Sequence, residues 1–403
     1  MTTEEESTSP EKILEPPAQL LESSSSSSAG SDAEEVSSSD EDENESPLDS
    51  PVESGDEGEE NEKGHHKSKK KRKKEEEPYK LTLVCDHSKE KPGIIQYLAV
   101  FTWLGWFAFY FYFPIIVIVL YYVSPLSLGL LIAAMVASSL YPCDRKVQPS
   151  WGWKVGAWIM RNMRSYFQMT VYAEDYEAVK QAHPAILTVE PHDIMPVGLF
   201  IFSDHIGYFS THKIRGCLTS AVYLVPFLKQ IYTWSDATDV NKSSIKRLLD
   251  DKCTATLCPG GAHEVTFMTD PNSKDLVLYL KKRIGMVKIA AEYGCPIIPT
   301  FTFNQRKTWD YFVPQWPWLH SMGRKVGFIP LIFFGVGGIP FSPPKSCPLT
   351  MVIAKPVNVP KLGPNAKIED LLPYHEEYLE AVRRIFENNK EKFGMGDINL
   401  KIL

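Results

Sequence analysis

Ala185-Ile186-Leu187-Thr188-Val189-Glu190-Pro191-His192-Asp193 is an apolar, β-prone run that ends in a proline turn carrying an imidazole. It reads as a buried strand with His192 just past its carboxyl end. A second run, Thr254-Ala255-Thr256-Leu257, leads into Cys258-Pro259-Gly260-Gly261-Ala262-His263-Glu264 and sets a carboxylate beside a glycine pair. Open α/β sheets gather their chemistry in loops at the carboxyl ends of strands. These two loops therefore define the candidate site, with His192 as the base.

Further strands are expected over residues 214–218, 297–303 and 350–354, next to 185–189 and 254–258. Helices are expected over 243–250, over 283–293 with Gly294 as a left-handed cap, and from about 369 to 393. Strands alternating with helices predict an α/β fold, a mixed and mainly parallel sheet covered by helices. That body occupies residues 148–403, after a membrane-anchoring hairpin over 79–147 and a disordered tail over 1–78.

The charges are segregated along the chain. Residues 1–62 hold 21 Asp and Glu against one basic residue, Lys12, and the whole chain of 403 residues carries −7. The remainder is thus basic, by about +13. Residues 67–74 contribute seven Lys and Arg to that excess, a pattern suited to anionic lipid head groups at roughly 1 kcal/mol per charge. The tail has the six-serine run 23–28 and too few large apolar residues to offset the entropy of ordering. Serines beside acids, such as Ser37, Ser38 and Ser39, are candidate phosphate acceptors. No apolar signal segment opens the chain, so no cleaved leader is expected. Seven scattered cysteines without a Cys-x-x-Cys pair predict neither a disulfide framework nor a metal site.

No charged side chain lies between Lys91 and Asp144. That tract exceeds the roughly 20 residues of one bilayer crossing, and Ser124-Pro125 divides it into pieces 94–123 and 126–141, with Pro114 inside the first. Two crossings would form a hairpin; one kinked piece would re-enter instead. Basic flanks on both sides, including Arg145, Lys146 and Lys154, place both in the cytosol. A second apolar stretch, 326–341, is broken by prolines and glycines, which argues against a spanning helix and leaves either an apolar wall for an acyl chain or an ordinary core loop.

Several blocks together resemble the type 2 diacylglycerol acyltransferase family, which also holds monoacylglycerol and wax-ester acyltransferases. Glu190-Pro191-His192-Asp193 and Pro259-Gly260-Gly261-Ala262-His263-Glu264 resemble its two central blocks. Arg283-Ile284-Gly285-Met286-Val287-Lys288, Lys355-Pro356-Val357-Asn358-Val359-Pro360, the closing His375-x-x-Tyr378 helix and Tyr112-Phe113-Pro114 are similar to others, in the family's order. Glu190 replaces a histidine, Asp193 stands where glycine or serine is usual, and Val336 stands where arginine is frequent. Asn304-Gln305 falls where Gly-Glu is common, and no role is assigned to it. Related glycerophosphate acyltransferases carry aspartate five positions after the histidine; here that position is Val197, which favours a neutral-lipid acceptor. Gly-x-Ser-x-Gly and phosphate-loop motifs are absent from the sequence.

The resemblance implies a membrane-bound O-acyltransferase that moves a long-chain acyl group from acyl-CoA, a co-substrate rather than a cofactor, to diacylglycerol. Monoacylglycerol or a fatty alcohol is the alternative acceptor, and a non-catalytic lipid-binding protein the alternative of another class. His192 would take the acceptor's proton. Glu264, or in second place Asp193, would orient the ring. Pro259 shapes the turn while the N–H groups of Gly260 and Gly261 meet the oxyanion. Lys282, Arg283 and Lys288 would meet the phosphates of coenzyme A. The family implies the endoplasmic reticulum membrane with a cytosolic body, or the lipid-droplet surface, membrane lipids as partners and no nucleic acid. Self-association into a homo-oligomer is left open.

Overall fold

The computed structural model describes residues 79–403 except 145, 146, 209–212, 269, 315, 317 and 319–330; the tail over 1–78, its serines and its basic run lie outside the described residues. The described residues form one compact unit. Its strands are β1 (Thr82–Asp86), β2 (Thr170–Ala173), β3 (Ile186–Glu190), β4 (Lys213–Leu218), β5 (Thr238–Asp239), β6 (Cys253–Leu257), β7 (Asp275–Leu278), β8 (Ile297–Phe303), β9 (Asp310–Phe312), β10 (Ile332–Phe334), β11 (Thr350–Ile353) and β12 (Asn399–Ile402). Eight of them form one sheet in the order β1-β2-β11-β8-β3-β6-β4-β5.

Within it, β3 pairs parallel with β6 and β8, β4 with β6 and β5, and β11 with β2. The β1–β2 and β11–β8 pairs are antiparallel, so the sheet is mixed and mainly parallel. Every residue of β3, β6 and β8 is buried, as expected of central strands with helices on both faces. That is why these segments consist of apolar residues, Thr and one Pro, with Glu190 at the end of β3 as their one charged residue. The shared register places Glu190 opposite Phe301 and Thr188 opposite Leu257, so the loops after β3 and β6 leave the sheet side by side.

The helices are α1 (Ile94–Leu104), α2 (Trp106–Val123), α3 (Pro125–Leu140), α4 (Ser150–Tyr166), α5 (Tyr176–Gln181), α6 (Leu228–Trp234), α7 (Lys242–Asp250), α8 (Gly285–Tyr293) and α9 (Ile368–Glu387). Gly294 closes α8 in the left-handed conformation, at φ 70°, where a Cβ would be strained. The last helix ends at Glu387, short of the expected 393. There the Asn389 amide takes the Ile385 carbonyl at 2.7 Å, and the chain turns through Gly394 at φ 73°.

The structure corrects the start of the expected hairpin piece over 94–123. Its first turns, α1, belong to the core of the body: Ala99, Val100, Trp103 and Leu104 are fully buried. Gln96 Nε2 donates to Asn162 Oδ1 of α4 at 3.0 Å, and Trp103 meets Phe200 edge to face at 5.0 Å. By contrast α2 has no buried residue. It is the one helix among the described residues that is long and apolar enough to cross a membrane, about 27 Å at 1.5 Å per residue. At 16 residues α3 is shorter. Both open ends of the α2–α3 pair are fastened to one stretch of the body. Trp106 stacks on Phe227 at 5.1 Å, Tyr110 donates its hydroxyl to the Pro226 carbonyl at 2.7 Å, and Ser138 exchanges hydrogen bonds with Gln230.

Close packing of α4 on α6 depends on two glycines one turn apart. A Cβ on Gly152 would meet the Trp234 indole at 2.5 Å, and one on Gly156 would strike the Trp234 carbonyl. Such overpacking costs about 1–3 kcal/mol. Gly156→Val should therefore lower the unfolding midpoint of the detergent-solubilised protein by several degrees; an unchanged midpoint in a thermal melt would contradict this contact.

Candidate active site

The chain leaves β3 through a cis Glu190–Pro191 peptide and carries Asp193 at φ 50°. Between them His192 is half-buried, and its Nδ1 lies 2.8 Å from the Asp193 carbonyl oxygen. A carbonyl only accepts, so Nδ1 holds the proton and Nε2 keeps the lone pair. Burial holds this histidine below its usual pKa, with the Asp193 carbonyl opposing, which favours the neutral ring a base needs.

Side chains from four other parts of the chain hold this loop, two of them by its main chain and two by the Glu190 carboxyl. Glu264, 3 % exposed, accepts the His192 N–H through Oε2 at 2.8 Å and the Tyr279 N–H through Oε1 at 3.0 Å. Gln305, 1 % exposed, donates to the Pro191 carbonyl at 2.6 Å and the His192 carbonyl at 3.3 Å, and accepts from the Gly198 N–H at 3.4 Å. Tyr378 of α9 donates its hydroxyl to Glu190 at 3.1 Å, and the Cys258 thiol approaches the other Glu190 oxygen at 3.5 Å.

Glu264 thus reaches His192 through its backbone and not through the ring, which corrects the expected route. The physical reason is that both its oxygens are already engaged by buried N–H groups, which have no water to turn to. Asp193 likewise spends its carboxylate on the Ile194 N–H at 2.7 Å, while its carbonyl takes the ring proton. Burial raises Asp193 to about 6 and Glu264 to about 7; the fully buried Glu190 is likewise pushed well above the usual carboxylate range by burial, with the Glu264 charge adding to the push. Two carboxyls this close cannot both ionise cheaply.

Donor atoms of Glu190, Cys258 and Glu264 lie within 4.8 Å of one another, a set the sequence did not suggest as a metal site. Each donor is already engaged by the protein, and the thiol is pushed up by burial. The trio is therefore a hydrogen-bonded support for the loop. All seven cysteines are free thiols.

At the glycine turn the two residues differ. Gly261 adopts φ 60°, and its N–H donates to the Cys258 carbonyl at 3.1 Å, so this N–H is spent on the turn that follows Pro259. A Cβ on Gly260 would strike the Glu264 carboxylate; here glycine supplies space for the acid to fold back. Arg283 lies over the Tyr279 ring at 5.0 Å, with Nη2 3.4 Å from the Gly260 carbonyl, so it braces the turn. Lys282 and Lys288 are exposed. A small cavity borders Pro191, Asp193, Glu264 and Arg306. From the apolar stretch 326–341, of which 326–330 lie outside the described residues, Phe333 packs on Phe107 at 5.7 Å and Phe341 stacks on Phe111 of α2 at 4.1 Å.

Gln305 and Tyr378 were not expected at the site. The sequence carried a weak signal for each: Asn304-Gln305 follows the buried β8, and Tyr378 lies in the closing helix block.

The sequence matches the diacylglycerol acyltransferase family over residues 118–402. It is similar to acyl-CoA wax alcohol acyltransferase 2 of Homo sapiens, 31 % identical over 53 % of this chain and 67 % of that protein. It is also similar to diacylglycerol O-acyltransferase 2 of Mus musculus, 31 % identical over 52 % and 58 %, and to diacylglycerol O-acyltransferase 1 of Eremothecium gossypii, 25 % identical over 66 % and 60 %. With the match spanning both central loops, α8 and α9, this chain belongs to the diacylglycerol acyltransferase family and is an acyl-CoA-dependent acyltransferase.

Proposed function

We propose that this enzyme forms triacylglycerol from diacylglycerol and a long-chain acyl-CoA, with His192 as general base. The observation that carries the reading is the tautomer set by the Asp193 carbonyl, which leaves Nε2 unprotonated. As the acceptor oxygen attacks the thioester carbonyl, Nε2 takes its proton; the tetrahedral adduct collapses, the C–S bond breaks, and the thiolate leaves with the proton returned by the imidazolium. No acyl-enzyme forms. Gly260 is the one of the pair whose N–H the turn does not consume, and it faces the oxyanion. Exposed Lys282 and Lys288 meet the phosphates of coenzyme A, while Arg283 keeps the turn in place. The aromatic seam of Phe107, Phe111, Phe333 and Phe341 lies between α2 and the body, where a lipid chain entering from the bilayer would run. The enzyme sits in the endoplasmic reticulum membrane or at a lipid droplet with its body in the cytosol.

The equal identity to a wax alcohol acyltransferase favours a second reading, a fatty-alcohol acceptor. Purified protein given labelled acyl-CoA with diacylglycerol, monoacylglycerol or hexadecanol should label triacylglycerol most; wax ester as the main product would replace the first reading by the second.

His192→Ala should lower kcat about 10²–10⁴-fold, with the melting midpoint little changed; equal turnover by the variant would remove the base. Gln305→Ala releases two carbonyls and one N–H around the histidine, and the resulting misplacement should cost about 10²-fold in kcat with a much smaller change in KM.

Glu264→Gln can accept only one of two N–H groups, so about tenfold in kcat should be lost. The pH profile separates these groups. Because burial lowers the histidine's pKa, the acid limb of kcat/KM should fall below 6.5. For Glu264, burial raises the folded value above the unfolded 4.5, so its share of stability is full below 4.5 and is lost as pH rises through about 7. Denaturation midpoints measured across that window should slope downward in the wild type and less in Glu264→Gln.

A further inference from the structure

A cavity of about 430 Å³ opens on α4, and none of its lining residues belongs to the catalytic loops. Trp153, Lys154, Trp158 and Arg161 border it, together with Asn162 and His205. Lys154 and Arg161 are seven positions apart, so they sit on one helix face about 10 Å apart along the axis. No acidic side chain lines the cavity, and Lys154 has no ion-pair partner among the described residues. The Arg161 Nε–H donates to the His205 carbonyl at 3.0 Å. That bond fixes the guanidinium plane and leaves the terminal nitrogens to bind a forked oxyanion. Asn162 is already committed, to Gln96 and to the Trp158 carbonyl. The site therefore presents two cations between two indoles.

Its position in the fold decides between ligands. Helix α4 packs on α1, whose outer face exposes Ile94, Ile95, Leu98 and Phe101, and on α6, which holds the end of α3. It thus bridges the two places where the apolar helices join the body, and Trp151 at its start is 57 % exposed. Tryptophan and basic side chains at that level are the signature of a membrane–water boundary. We propose that this cavity binds the phosphate-bearing head group of a membrane phospholipid, Lys154 and Arg161 taking the phosphate and Trp153 and Trp158 flanking the glycerol. The site is separate from the acyl-transfer centre and does not depend on the acceptor assigned above.

Native mass spectrometry of the full chain in detergent, titrated with phosphatidylinositol, tests this. The wild type should retain one phospholipid, and the double variant Lys154→Ala, Arg161→Ala should bind it about tenfold or more weakly, while Arg161→Lys keeps part of the affinity. Both variants should melt at the wild-type temperature and keep basal acyltransferase activity, which separates failure of this site from failure of the active site. Equal retention by the double variant, or equal retention of a phosphate-free galactolipid, would overturn the proposal. Displacement of the lipid by millimolar inorganic phosphate would show that free phosphate is the ligand and overturn it as well.

Discussion

The constraint on which the site depends is the hold on the main chain between Glu190 and Asp193. Glu264 meets the His192 N–H and Gln305 the Pro191 and His192 carbonyls, while Tyr378 and Cys258 meet the Glu190 carboxyl at the start of the loop. Groups buried in this way cannot turn to water, so losing one partner leaves an unmet donor or acceptor at a cost of about 1–3 kcal/mol. The imidazole is fixed by its own backbone, which is in turn fixed by β6, β8 and α9. This explains how a loop residue can hold one tautomer without a carboxylate on its ring.

The same arrangement gives the acidic groups a structural task. A carboxylate accepting two N–H bonds at 3 % exposure is a strong clamp only while its surroundings are dry and complete. The glycine at 260 exists to let that clamp close, since any side chain there would occupy the space of the Glu264 carboxylate. Arg283, stacked on Tyr279 and reaching the Gly260 carbonyl, braces the outside of the same turn.

Around this centre the fold joins a water-facing enzyme to an apolar pair of helices. The joint is polar and specific. Ser138, Gln230, Tyr110 and Pro226 tie α2 and α3 to the body by hydrogen bonds, and Trp106 on Phe227 adds an aromatic contact. In the membrane-bound state proposed above, an anchor attached this firmly would carry the body with it, so the depth of the apolar helices would set the height of the active-site seam.

The central strands were legible in the sequence because β3, β6 and β8 are buried on both faces, and short runs rich in apolar and β-branched residues between turn residues read as strands where a helix would need more length. His192, Glu264 and the Gly260-Gly261 turn were legible because they follow those strands directly. What only the tertiary structure decided was which atom each side chain serves. Glu264 turned to a backbone N–H, Gln305 crossed from the end of β8, Tyr378 came from a helix 188 residues beyond Glu190, and α1 left the apolar tract for the core. Local pattern carries burial and period, whereas hydrogen-bond partners far apart in the chain are fixed only when the packed sheet brings their elements to one edge.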